Sequence, residues 1–296
     1  MMNLKYPLFI FICLFLIFQC KNSKQNSFWE SPKAYLGQKV PSEIPEIFAK
    51  GMLVDSGIVL GRVAFSESGK EFYYSYAAHW FDSNNSGTNI ISFDGTNWSK
   101  PKLFAENVSN PTLSMDGNRL YFGASGSNVW ISEKKNGEWN EPYEYLNKSY
   151  GLYNFMPTQS GTYYVGSGLD KSDYSGYDFS TFSMNKTDTI VKSIGKPINT
   201  LGFDGDLYVA PDESYMIISA EETPTYESKL HITFRKADGS WTPSKSISSI
   251  INEGPAHRFG QYVSPDGKYL FYTQGTSEED CHIYWVRWDL MLKKLK

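Results

Sequence analysis

Arg62, Asn110, Asn154 and Asp206 are polar residues spaced 48, 44 and 52 positions apart, and Gly260 follows 54 positions later. Such spacing puts one residue from each successive repeat at the same place, and polar groups so placed would gather around a common axis. His257 and Arg258 lie just before Gly260 and could join them. Guanidinium, amide, carboxylate and imidazole groups in one ring suit recognition of a polar ligand through hydrogen bonds. The plainer account is that strand ends are polar because water reaches them. Catalysis asks for more. Glycoside hydrolysis needs two carboxyl groups flanking the scissile bond, one of them held protonated. The ring contains one acid, Asp206; Asp204 is two residues away on the same stretch and does not face it across a channel, and Asp55 and Glu253 have no assigned place. The expectation is a binding site at a channel mouth with no catalytic residue. A glycan-active hydrolase using acidic channel residues is the alternative.

Other chemistries find less support. The stretch from Ser92 to Trp98 lacks the spacing of a sialidase turn, and only five arginines exist (Arg62, Arg119, Arg235, Arg258 and Arg287) to bind a substrate carboxylate. No Gly-x-Ser-x-Gly elbow is present for a serine hydrolase. His79, His231, His257 and His282 have no metal-ligand spacing, and Asp170, Asp173 and Asp178 do not alternate as a calcium loop requires. No metal and no cofactor is expected. A net charge of −4 without a basic block leaves out nucleic acid as a partner. Cys281 reads as a small buried side chain near a strand.

The elements that would hold the ring are short strands. Turn positions recur at Gly69, Gly117, Gly161, Glu213 and Gly267, each after a turn such as Ser264-Pro265-Asp266 and before an apolar or aromatic run such as Leu270-Phe271-Tyr272. Pro presets φ, Asp bonds its own backbone, and Gly accepts positive φ, so each phrase is a hairpin. A third strand follows every hairpin, for example Asn128-Val129-Trp130-Ile131. Gly95, Gly137 and Gly239 then lead to Trp98, Trp139 and Trp241, and Pro101, Pro142, Pro197 and Pro243 each introduce an outer strand, where proline is tolerated. The fold class is therefore all-β, a β-propeller of five four-stranded blades, with six as the alternative. The last repeat lacks its outer strand. Pro45-Glu46-Ile47-Phe48-Ala49-Lys50 matches Pro101-Lys102-Leu103-Phe104-Ala105-Glu106 in pattern, so the N-terminal stretch should close the ring and remove two raw sheet edges.

These Ser-Pro-Asp-Gly turns resemble the TolB-like, WD-like propeller repeat of bacterial envelope proteins. Tyr35-Leu36-Gly37-Gln38, the hairpin from Phe234 to Trp241, and Ile283-Tyr284-Trp285-Val286 are similar to the opening, penultimate-blade and closing segments of its secreted or lipidated members. The resemblance covers Tyr35 to Leu295 and implies a propeller whose repeats are structural; the repeat, the lack of a catalytic set and the lipoprotein-like start described next give the expectation of a binding or scaffolding module for envelope proteins or glycans. It also implies that six blades are common.

Residues 1–19 read as an address. Lys5 precedes an apolar run over residues 8–18, too short to span a bilayer and suited to a signal-peptide core. The run ends at Gln19-Cys20-Lys21, which resembles a bacterial lipoprotein signal and implies lipidation at Cys20, with an outer-membrane lipoprotein as its destination. Plain secretion to the periplasm is the alternative. Residues 20–34 would be a lipid-anchored tether and residues 35–296 the propeller domain.

Overall fold

The computed structural model describes residues 28–54, 56–80, 85–124, 126–171, 176–184, 189–200 and 206–296. Cys13, Cys20, Asp55, Asp173, Asp204 and the stretch 21–27 lie outside the described residues. A short outer strand, β1 (Glu46–Ile47), comes first. Blade one is β2 (Ile58–Phe65), β3 (Glu71–Ala77), β4 (Ser86–Ser92) and β5 (Lys102–Glu106). Blade two is β6 (Val108–Leu113), β7 (Arg119–Ala124), β8 (Asn128–Lys135), with β9 (Glu138–Trp139) and β10 (Tyr143–Leu146) both pairing β8. Blade three is β11 (Gly151–Pro157), β12 (Tyr163–Gly168), β13 (Asp178–Met184) and β14 (Thr189–Ser193). Blade four is β15 (Leu207–Val209), β16 (Tyr215–Ala220), β17 (Lys229–Phe234) and β18 (Lys245–Ser246). In blade five, β19 (His257–Val263), β20 (Tyr269–Gly275) and β21 (Cys281–Arg287) are completed by β1, with Glu46 opposite Trp285 and Ile47 opposite Tyr284. Five blades closed by an N-terminal strand is the architecture the repeat implied.

The hairpin turns are built as their residues dictate. The backbone is left-handed at Gly69, Gly117, Gly161, Glu213 and Gly267, with φ between 58° and 84°. Each turn closes on a bond from that residue's N–H to the carbonyl three residues earlier, 2.8 Å for Gly267 to Ser264. Glu213 adopts at φ 58° a conformation that costs an L-residue more than glycine. Its carboxylate is occupied in return. It accepts hydrogen bonds from Thr158 (2.9 Å) and Ser160 of blade three, and from Tyr164 (3.0 Å), and it pairs with Arg235 at 3.3 Å. The least typical turn therefore joins two blades.

The Gly–Trp turns do the same. Trp139 of blade two donates Nε1–H to Tyr73 of blade one at 3.0 Å, and Trp241 of blade four stands edge-on to Tyr164 of blade three. Blade three has no such tryptophan; Phe155 and Tyr163 meet Tyr121 of blade two instead. One expectation needs correcting here. Pro197 does not introduce the outer strand of blade three, because β14 ends at Ser193, before it.

Packing at the N-terminal side begins earlier than Tyr35. Phe28–Glu30 forms a turn of 3-10 helix, Trp29 donates Nε1–H to Glu67 O at 3.0 Å, and Phe28 lies 5.0 Å from Phe93 ring to ring. A stretch expected within the tether is thus attached to the hairpin tips of blade one. At the other end, helix α1 (Trp288–Leu295) leaves β21 and buries Trp288, whose Nε1–H donates to Tyr215 of blade four at 3.1 Å.

Candidate functional site at the channel mouth

The five inner strands start on the face opposite the hairpin tips. Four of them carry a left-handed residue near that start: Gly61, Asn110, Asn154 and Gly260, with φ of 73°, 54°, 52° and 64°. At each, the register with the second strand shifts, as in a β-bulge. Asparagine tolerates this backbone better than other non-glycine residues, which accounts for Asn110 and Asn154 without any ligand. Gly260 answers a second demand, since a Cβ there would sit 2.4 Å from Gly61 C.

Hydroxyls on three of the second strands then tie a blade to the next. Ser75 Oγ accepts from Asn110 N–H (3.0 Å), Ser219 Oγ donates to Arg258 O (2.6 Å), and Thr273 Oγ1 donates to Gly61 O (2.9 Å). All three lie six residues after their turn position, a signal present in the sequence but absent from the expectations.

Arg62 is fully buried on the axis. Its Nη2 donates to Leu207 O of blade four (2.6 Å), its Nη1 to Thr112 Oγ1 of blade two (2.9 Å) and its Nε to Gln261 O of blade five (3.4 Å). Its backbone N–H donates to Asn110 Oδ1 at 2.8 Å. Burial pulls the guanidinium down to about 10, against the opposing pull of Asp206, Tyr153 and Tyr208, so it stays charged at neutral pH. Asn154 Nδ2 donates to Asp206 Oδ1, and both residues are buried. Burial holds the Asp206 carboxyl above its ordinary range. The Asn154 bond and the charges of Arg62 and His257 oppose that, and Glu222 adds to it.

His257 is 8% exposed and stacks on Phe259 with ring centroids 4.2 Å apart, with Trp80 edge-on at 5.4 Å and Tyr226 at 5.8 Å. Its Nε2 lies 3.6 Å from a Glu222 carboxylate oxygen. Arg62, Asn110, Asn154, Asp206 and His257 are therefore brought to one end of the channel. Arg258 is not among them. Its guanidinium turns to the connection before β19, donating to Ser228 O (3.0 Å), Glu253 O (2.5 Å), Gly254 O (3.1 Å) and Gln274 Oε1 (3.1 Å). Glu222, Trp80 and Tyr226 escaped the sequence count because they lie on loops between strands. Gln261 escaped it by one position. It is fully buried, and neither atom of its side-chain amide has a protein partner. An amide left so would cost about 1–3 kcal/mol.

The raised Asp206 carboxyl has a consequence for stability. An acid that holds its proton more tightly when folded opposes folding as pH rises from the ordinary carboxylate value through the raised one. Asp206→Asn should therefore raise the thermal midpoint at neutral pH, and the gain should fade below about pH 4. Paired melting curves at the two pH values check this. A variant less stable than the parent at neutral pH would mean that the Arg62 charge outweighs burial.

Among the described residues no three His, Cys, Asp or Glu side chains are grouped as a metal site, and no helix is long and apolar enough to cross a membrane. No protein-family model and no curated protein matches the chain. Solved structures do. A TolB structure from Agrobacterium tumefaciens is 12% identical over 74% of this chain and 70% of its own, with a TM-score of 0.46. A periplasmic gluconolactonase from Pseudomonas aeruginosa is 10% identical over 73% of this chain and 65% of its own, with a TM-score of 0.43. An oligogalacturonate lyase from Vibrio parahaemolyticus is 12% identical over 86% and 71%, with a TM-score of 0.42. Likeness at these values says nothing of activity, and the architecture rests on the strand pairing itself. The chain is a five-bladed β-propeller, and TolB structures are among those it is similar to.

Proposed function

We propose that this chain is a lipid-anchored binding module of a bacterial cell envelope, carried on Cys20, whose channel mouth engages a protein or glycan partner without catalysis. One observation carries the reading: Arg62, Asn110, Asn154 and Asp206 are committed to joining blades. Arg62 and Asn110 are engaged by neighbouring strands, and Asp206, the one carboxylate of that set among the described residues, is bonded to Asn154. At the rim, the half-exposed Tyr226 and the partly exposed Glu222 pack against the buried His257 and Trp80, a mixture of aromatic and polar groups suited to contact.

A second reading, a hydrolase acting on glycans, draws on one feature. Asp206 has the raised carboxyl that a general acid needs, and Glu222 is a second carboxylate close enough to influence it. The purified chain, offered a broad glycan panel and an envelope extract, separates the two. Capture of a glycan or protein that is lost in Tyr226→Ala, with no cleavage products, is the expected result. Cleavage that disappears in Asp206→Asn would replace the binding reading with the enzymatic one.

A further inference from the structure

We propose that the hairpin-tip face of blade five, together with helix α1, lies against the anionic lipid surface to which the chain is anchored, and that the channel mouth is turned away from it. The inference rests on the anchoring read above and adds an orientation to it.

The first observation is where the chain joins the ring. Phe28 and Trp29 are fastened at the tips of blade one, through Glu67 O and the Phe93 ring. Trp98 donates Nε1–H to Lys33 O at 2.8 Å and holds the next turn down. From Cys20 to Phe28 is eight residues, which span at most about 29 Å. The inner strands run from the mouth to the tips, and β19 with its seven residues is about 24 Å long. A lipid on Cys20 therefore keeps the attachment point on the tip face within about 29 Å of the bilayer, and the surface beside that point sets which side lies against it.

The second observation is the surface beside that point. Ile44, Val40 and Leu290 are 61%, 48% and 42% exposed. They sit on segments held together: Arg287 N–H donates to Ser42 O at 2.8 Å, and Lys294 pairs with Glu43 at 2.5 Å. Leu290 and Lys293 are three residues apart on α1 and share a face. Lys39 and Lys296 are exposed and form no ion pair among the described residues, and the exposed Lys293 lies near Asp289 one turn earlier on α1. Acids at the same end of the molecule include Glu30, Glu46 and Glu67, with Glu43 paired to Lys294 and Asp289 to Arg287. Exposed aliphatic groups ringed by lysines match a lipid headgroup layer, where the apolar groups sink to the acyl boundary and each lysine near an anionic surface adds roughly a fivefold gain in binding.

The test uses the acylated chain in vesicles of phosphatidylglycerol and phosphatidylethanolamine carrying a nitroxide headgroup quencher. A thiol fluorophore is placed by Leu290→Cys or by Tyr226→Cys; the native Cys281 is buried and stays unlabelled. Quenching several times stronger at position 290 than at 226 is the expected result, and Lys293→Glu with Lys296→Glu should reduce it. Equal quenching, or stronger quenching at 226, overturns the orientation. Flotation of Cys20→Ala separates the premise: if it floats as the parent does, anchoring through Cys20 is wrong, and with it the geometric half of the argument.

Discussion

Arg62→Ala should cost the propeller about 3–5 kcal/mol, the range seen when a buried, partnered charge loses its side chain. Three acceptors on three other blades would lose their donor at once: Leu207 O, Thr112 Oγ1 and Gln261 O. An unpaired buried acceptor costs about 1–3 kcal/mol, and the loss of packed side-chain volume adds to that. Asp206 would also lose a neighbouring positive charge and hold its proton still more tightly. Urea unfolding midpoints measure the loss. Arg62→Lys is the informative companion, because one ammonium keeps the charge but cannot reach three acceptors in a fixed fork, and it should fall between parent and alanine. If Arg62 were instead a ligand-binding group, Arg62→Ala would unfold at the parent's midpoint and lose only partner capture.

That distinction is the one the sequence could not make. The period of the repeat was legible because turn chemistry is local: Ser, Pro, Asp and Gly specify a hairpin wherever they occur, and five such hairpins specify blades. Equivalent positions on the inner strands were less legible. Between Leu60 and Ala64, blade one inserts three residues opposite one of β3, whereas blade two inserts two between Ser109 and Thr112. A count of seven back from the turn therefore selects Arg62 in blade one, although Gly61 shares the left-handed backbone of Asn110 and Asn154. A bulge adds length without changing composition, so spacing alone passes over it. The glycines at 61 and 260 were the visible sign. The hydroxyls of Ser75, Ser219 and Thr273 were equally visible, but a small polar residue on a strand reads as solvated until the next blade is known to lie against it. Phe28 and Trp29 were apolar residues in a stretch assigned to the tether, and their bulk was the signal that packing starts there.

Ring closure offers the second large effect. Phe48 should cost about 3–5 kcal/mol when replaced by alanine, the usual loss for a buried aromatic ring. It is 1% exposed and lies in the seam between the last blade and the first, with ring centroids 5.0 Å from Trp285 and 5.1 Å from Phe271 on one side and 5.3 Å from Phe72 on the other. Its N–H also continues the pairing of β1 by donating to Ile283 O at 2.8 Å. Deleting residues 45–50 removes both the ring and the outer strand, so it should destabilise more than Phe48→Ala. It also bares the edge of β21 from Ile283 to Trp285. An exposed edge is a template for another strand, so the deleted chain should self-associate as concentration rises. Deleting residues 21–27, which precede the first packed aromatic, should leave the melting midpoint in place. The three midpoints, with sedimentation of the first deletion, decide the matter. If the two deletions melt together, β1 is an ornament on blade five rather than the strand that closes the ring, and the stability of the seam must come from the side-chain contacts of Phe65, Phe72 and Phe271 alone.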